Sequence, residues 1–236
     1  MKHHAYKNIL SLPIEIHNNK NFQYIHQLNI KEDYHVHCNY NDHSAADLTI
    51  QNVLKYAKRI GLQTLAFTEH VRKTSEWIPK YLEEIERSKK NYDGNDNLKI
   101  ISGFEAKILE DGSINCLEEY SRNHFLIASF HNIYNDKQVW INALKKVIEN
   151  PYVNVIGHIA PEPAFTLQSS EVGELAHLIA KNKKIVEINA KYHRPPSEWI
   201  LIFKKRGVKF HLGSDAHSLQ QIGQFERVSD LISLLE

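Results

Sequence analysis

Seven short apolar runs recur along this chain, and most are separated by segments whose apolar residues fall three and four apart. The runs are DYHVH (33–37), TLAFT (64–68), LKIISGFE (98–105), HFLIASFH (124–131), VNVIGH (153–158), KIVEIN (184–189) and VKFHLGSD (208–215). Such runs read as buried strands. Their alternation with helical segments predicts a parallel sheet, because parallel neighbours need a crossover long enough to hold a helix. LTIQNVLKYAKRIG puts Ile50, Val53, Leu54, Ala57 and Ile60 on one stripe, with Gly61 set to cap it in a left-handed conformation. WINALKKVIEN, EVGELAHLIAKN and SEWILIFKKRG repeat the pattern, and SLQQIGQFERVSDLISLLE is expected to close the chain as helix. Seven strands in 236 residues favour a barrel of TIM type over an open doubly wound sheet.

Residues 1–30 stand outside the alternation and read as an N-terminal extension to a single domain over 31–236, and NYDGNDN (91–97) reads as a turn. A net charge of +1 gives no electrostatic footing for bulk nucleic-acid binding. The basic clusters Lys145–Lys146, Lys181 with Lys183–Lys184, and Lys204–Lys205–Arg206 end helical segments, where positive charge complements the helix dipole. Two cysteines without a pairing pattern, Cys38 and Cys116, point to a reducing compartment. No apolar run approaches the roughly 18 residues of a membrane span, and the first twenty residues lack the apolar core of a signal peptide. A cytoplasmic protein is expected.

The polar residues gather at one end of these strands. His35 and His37 end the first run and His43 follows it. His70 comes just after the second, Glu105 closes the third, His131 the fourth and His158 the fifth, while Asp215 and His217 follow the seventh. In barrels and open α/β sheets alike, the carboxyl ends of the strands form the functional rim. One histidine at a strand end is ordinarily a hydrogen-bonded rim residue, and a histidine pair two apart arises by accident. Nine such residues on one rim make a pattern. Imidazole and carboxylate together suit Zn, Mn or Fe, and nine ligands exceed what one tetrahedral ion can use.

The ordered series HVH with His43, TEH, GFEAKI, SFH, GH and GSDAH resembles the PHP family, named for polymerase and histidinol phosphatase domains, over about residues 33–225. The resemblance implies a distorted (β/α)7 barrel with two or three divalent ions, and hydrolysis of a phosphate ester by a hydroxide held between ions. It implies that His35, His37, Glu105 and Asp215 hold a first ion, Glu105, His131 and His158 a second, and His43, His70 and His217 a third. Glu105, Asp215 and His217 are read as the catalytic residues. One departure is Glu69, where many members carry Asp.

Lys107, Lys191 and Arg194 are the rim cations expected to hold the substrate phosphate, with His193 and Arg72 as lesser candidates; a guanidinium binds phosphate oxygens through two donors. His124 and His211 begin their runs and are expected to be structural, and Cys38 to lie in the core. A small phosphomonoester is the expected substrate, with short nucleic acid as the alternative. A non-catalytic metal-binding module, or an enzyme of amidohydrolase type, remains the competing reading.

Overall fold

The computed structural model describes residues 28–92, 98–160 and 165–236. Most of the expected extension, residues 93–97 of the expected turn and residues 161–164 therefore lie outside the described residues. Seven strands appear in chain order: β1 (Glu32–Val36), β2 (Thr64–Val71), β3 (Lys99–Lys107), β4 (Phe125–Ser129), β5 (Val155–Ile156), β6 (Ile185–Asn189) and β7 (Lys209–Gly213). Each pairs in parallel with the next. The ends of the sheet meet across a bridge from Val36 to Ala216, where Asp215 N–H donates to His35 C=O at 2.8 Å and His37 N–H to Ala216 C=O at 3.1 Å. The result is a single-domain, nearly closed (β/α)7 barrel of TIM type.

The helices are α1 (Ile50–Arg59), α2 (Ile78–Tyr92), α3 (Glu118–Asn123), α4 (Lys137–Glu149), α5 (Ser169–Lys181), α6 (Ser197–Lys205) and α7 (Ser229–Ser233). Local chemistry fixes their ends. Thr49 caps α1 by accepting from Asn52 N–H, and Asp136 caps α4 by accepting from Gln138 and Val139 N–H. Gly61 takes φ 77° after α1, as its sequence position predicts. Ile50, Val53, Leu54 and Ala57 are buried against the sheet, whereas Ile60, at the helix cap, is exposed.

Two regions deviate from the sequence reading. Residues 218–236 form two 3₁₀ turns (219–221 and 226–228) and the five-residue α7, in place of one long helix. Ile222, Phe225, Val228 and Leu231 are buried at intervals of three, the pitch of a 3₁₀ helix. Gly223, at φ 68°, breaks the run and donates its N–H to the buried Asp33 carboxylate. His211 lies mid-way along β7 rather than at its start. It sits wholly inside the barrel, its ring stacked on Tyr34 at 4.9 Å. His124 precedes β4 with Nδ1 3.4 Å from Ser102 Oγ, a structural place as expected.

The apolar interior has two parts. The larger packs the helices on the outer faces of the strands, and Cys38 and Cys116 are buried in it. The smaller plugs the barrel from within: Tyr34, Ala66, Ile101, Phe125, Ile127, Val155 and Ile185. A register shift between Asp33 and Val36 inserts an extra residue in β1. Such a bulge lets Tyr34 join the plug while His35, its neighbour, faces the interior above it. Among the described residues no helix is long and apolar enough to cross a membrane.

Candidate metal centre

Above the plug, the same strands carry polar side chains. Glu105, two residues short of the end of β3, is the hub. Its carboxylate is buried, with Oε2 2.8 Å from His70 Nδ1, 3.5 Å from His35 Nε2 and 3.6 Å from His37 Nε2. Oε1 lies 3.0 Å from His158 Nε2 and 3.3 Å from His131 Nε2. His37 Nε2 stands 3.1 Å from His35 Nε2 and 3.3 Å from Asp215 Oδ1. His217 completes the ring, its imidazole 4.3 Å from that of His37. His70 lies within β2, which runs to Val71, while His131, His158 and Asp215 each stand two residues beyond their strands.

His158 and Asp215 reach this position through left-handed backbone, at φ 25° and 53°. Positive φ in residues other than glycine persists only where the surroundings enforce it, and it concentrates at functional sites.

The rings are held in one orientation. His35 Nδ1 is 2.6 Å from Glu187 Oε1, His131 Nδ1 3.2 Å from the Ser129 carbonyl, and His217 Nδ1 2.9 Å from the Asp215 carbonyl. Donation of Nδ1–H to an oxygen leaves Nε2 as a lone pair facing the cluster, the tautomer a metal ligand needs. Glu69 lies 3.5 Å from His37 Nδ1 and accepts from the N–H groups of Cys38 and His70 and from the Asn41 amide.

Glu187, in the centre of β6, was not singled out by its sequence. It reaches past His35 to accept from His158 N–H at 2.8 Å and Asn189 Nδ2 at 3.1 Å, and Asn189 also donates to Asp215 Oδ2. Space for it comes chiefly from Gly213 at the end of β7. A β-carbon at Gly213 would overlap Glu187 Oε1 and the His35 Cβ, and one at Gly157 would overlap Ser129 Oγ and Ile127. A charged residue inside a wholly buried strand was the available signal.

Four carboxylates, Glu69, Glu105, Glu187 and Asp215, are thus buried together. Buried charge persists only when it is paired. Within the protein the compensation falls on imidazoles. Burial pushes His35 and His37 down, but their carboxylate neighbours outweigh it, raising His35 well above the ordinary value and His37 to about 9. Burial likewise opposes ionisation of Glu105 and Asp215, yet the facing imidazoles hold both below the usual carboxylate range. Burial dominates at His217, lowering it to about 4, so its ring is neutral at pH 7. The donor set fits divalent cations. Three groups have ligand atoms within 4.8 Å of one another: His35, His37 and Asp215; His70, Glu105 and His131; and His37, His70 and His217. Two buried atoms inside the cluster, His37 Nδ1 and Glu105 Oε2, lack a partner in hydrogen-bond geometry.

Of the nine expected ligands, eight meet in this cluster and His43 does not. Its side chain is 58% exposed, with Nε2 3.6 Å from Asp42 and its ring 5.9 Å from that of His70. It lines a rim hollow of about 430 Å³ with Arg72, Glu76 and Trp77. Among the expected phosphate-binding residues, Lys191 reaches in, with Nζ 3.2 Å from Asp215 Oδ1. Lys107 donates to Asn132 Oδ1 at 2.6 Å, on the rim beside His131. Arg194 is half-buried in the loop after β6, which closes through its backbone pairing with Asn189. His193 instead turns to Asp230, with Nε2 3.0 Å from Oδ1.

Comparison with known proteins places this arrangement among relatives. Residues 33–208 match the PHP domain family, a span that stops before Asp215 and His217. The chain is 30% identical over 212 residues to a "Probable phosphatase" of Acetivibrio thermocellus, covering 85% of each chain. It is 28% identical to another of that description from Clostridium novyi, covering 86% of each. In fold it is similar to the histidinol phosphate phosphatase of Lactococcus lactis, solved in complex with Zn, L-histidinol and phosphate. The TM-score is 0.67 at 22% identity, over 89% of this chain and 93% of that one.

Proposed function

Because the chain belongs to the PHP domain family, we propose that it is a metal-dependent phosphatase acting on a small phosphomonoester. The relatives' phosphatase names support hydrolysis of phosphate esters, and the observation that carries the reading is Glu105. One buried carboxylate within 3.6 Å of five imidazoles suits a bridge between divalent cations. Ions held there, zinc, manganese or iron, would lower the pKa of bound water and stabilise charge on the phosphoryl oxygens.

The chain's own residues would do the rest. His35, His37 and Asp215 form one ligand group, and His70, Glu105, His131 and His158 another. Glu187 and the Ser129 carbonyl fix the tautomers of His35 and His131. Glu105, Asp215 and His217 would line the reacting face, His217 as a neutral imidazole with its Nε2 lone pair 3.4 Å from Lys191 Nζ. Lys191, Lys107 and Arg194 would hold the phosphate, as charge-assisted donors.

The charge distribution supports a small substrate over a polynucleotide. Lys58, Arg59, Lys146, Lys181, Lys204 and Lys205 fall in the last turns of their helices. In a parallel βα barrel those ends point away from the rim, whereas a nucleic acid needs several cations beside the site. The two buried, unpaired thiols fit a reducing cytoplasm.

The test is turnover of p-nitrophenyl phosphate. Activity should vanish in excess chelator and return with Zn or Mn, and Glu105→Gln should abolish both turnover and most bound metal. Unchanged turnover after prolonged chelation would refute the reading.

A further inference from the structure

We propose that the Lys191 ammonium occupies the place of a third ion, so that the centre loads with two. This rests on the metal-dependent reading above and settles an ion count that reading leaves at two or three.

The first observation is how the ligand groups overlap. Of the three among the described residues, two share no member: His35, His37 and Asp215, and His70, Glu105 and His131. The third borrows His37 and His70 from them and adds only His217. A histidine already directing a lone pair at one ion is poorly placed to serve another. His43, the remaining donor expected for a third ion, is mostly exposed and turned to Asp42.

The second observation is what stands beside His217. Lys191 Nζ lies 3.2 Å from Asp215 Oδ1 and 3.4 Å from His217 Nε2, the ring nitrogen that carries the lone pair. An ammonium competes for the same lone pairs as a metal ion, and its own charge repels a divalent cation placed beside it. The loop that delivers Lys191 is built to do so. Asn189 donates to Asp215 Oδ2 and accepts from Tyr192 N–H, and its backbone pairs with Arg194 on the far side of the turn. Lys191 lies inside this closed loop, its Nζ also 5.0 Å from the Tyr192 ring.

Charge agrees. Two divalent ions balance the four buried carboxylates, and Lys191 adds one positive charge for an incoming phosphate dianion, at the place where a third ion would have added two. A fixed ammonium is always present, whereas a weakly held third ion would depend on supply.

The experiment counts metal. Full-length protein stripped with chelator is titrated with Zn, and separately with Mn, and bound equivalents are read calorimetrically and by elemental analysis after desalting. Wild type should bind two equivalents. Lys191→Met, which keeps the length and removes the charge, should bind three, and Lys191→Arg should stay at two. Three equivalents in wild type, with metal-dependent phosphatase turnover intact, overturn this inference and leave the phosphatase reading standing. A count of two in a folded Lys191→Met also overturns it. Failure of wild type to bind metal at all, with no turnover, removes both. If Lys191→Met does not fold, the wild-type count still decides, and Lys191→Gln replaces it.

Discussion

The lower and upper halves of the barrel interior are built by the same strands to opposite ends. Below, Tyr34, Ala66, Ile101, Phe125, Ile127, Val155 and Ile185 exclude water and bury apolar surface. Above, four carboxylates and six imidazoles occupy positions a few residues along the same strands. In β3 the change takes four residues, from Ile101 through Gly103 to Glu105; in β4 it runs from Ile127 through Ser129 to His131. The lower half supplies stability that the upper half forgoes, since buried charge without a counter-ion costs more than it contributes. That division makes separable predictions.

Breaking the lower half should act on stability alone. Phe125→Ala should cost ~3–5 kcal/mol, the range for large-to-small changes in a core, in a denaturant titration of the metal-free protein. Metal bound per folded molecule should stay the same; loss of metal at equal folded fraction would mean the two halves are not independent.

Breaking the upper half from its underside should act on the ions. Glu187→Gln keeps the size of the side chain but weakens its hold on His35 Nδ1. Metal affinity should fall roughly 10- to 100-fold, the usual weight of a partner that orients a ligand. Affinity within twofold of wild type would dismiss the orienting role.

The comparison sharpens with pH. In metal-free protein, burial lowers His37 but Asp215 and Glu69 more than reverse it, to about 9 against a reference of 6.5. A raised histidine contributes stability fully present below the unfolded value and lost as pH rises through the folded one. Melting temperature in chelator should therefore fall between pH 6.5 and about 9. With ions bound, which require neutral imidazole, that fall should disappear. A flat profile without metal would contradict the charge compensation described here.

The smallest effect belongs to the rim. Arg194→Ala should raise KM about tenfold, the weight of one charge-assisted hydrogen bond, with kcat changed less. Steady-state kinetics on a monoester decide it. An equal drop in kcat would place Arg194 in the transition state instead.

Much of this was legible in the sequence. The seven strands follow from short apolar runs, and eight of nine expected ligands meet because strand ends converge on one rim whatever their loops do. The rest depends on neighbours across the barrel. His43 lies seven residues past the end of β1, far enough for the loop to carry it outward. How the ligands divide into groups depends on the β1 bulge and on closure between β1 and the Asp215 segment. Glu187 was passed over because IVEIN reads as an ordinary strand until Gly157 and Gly213 are seen beside it. The last segment carries apolar residues that suit a helix in composition, but their interval of three and the Gly223 contact to Asp33 set a different course.

Gly213 and Glu187 also constrain how this protein can change over generations. A side chain at Gly213 fits only if the Glu187 carboxylate leaves and the His35 Cβ also yields, and loss of the Glu187 anchor is what would let His35 shift. The positions are therefore epistatic. Gly213→Ala should be far more harmful in the presence of Glu187 than in a Glu187→Ala background, a departure from additivity expected of groups in direct contact. Accumulated substitutions could reach a descendant that has lost both, but scarcely one that has lost only the glycine. Gly213 and Glu187 should thus persist together or disappear together, whereas Gly157 is held by Ser129 and Ile127 whatever stands at 187.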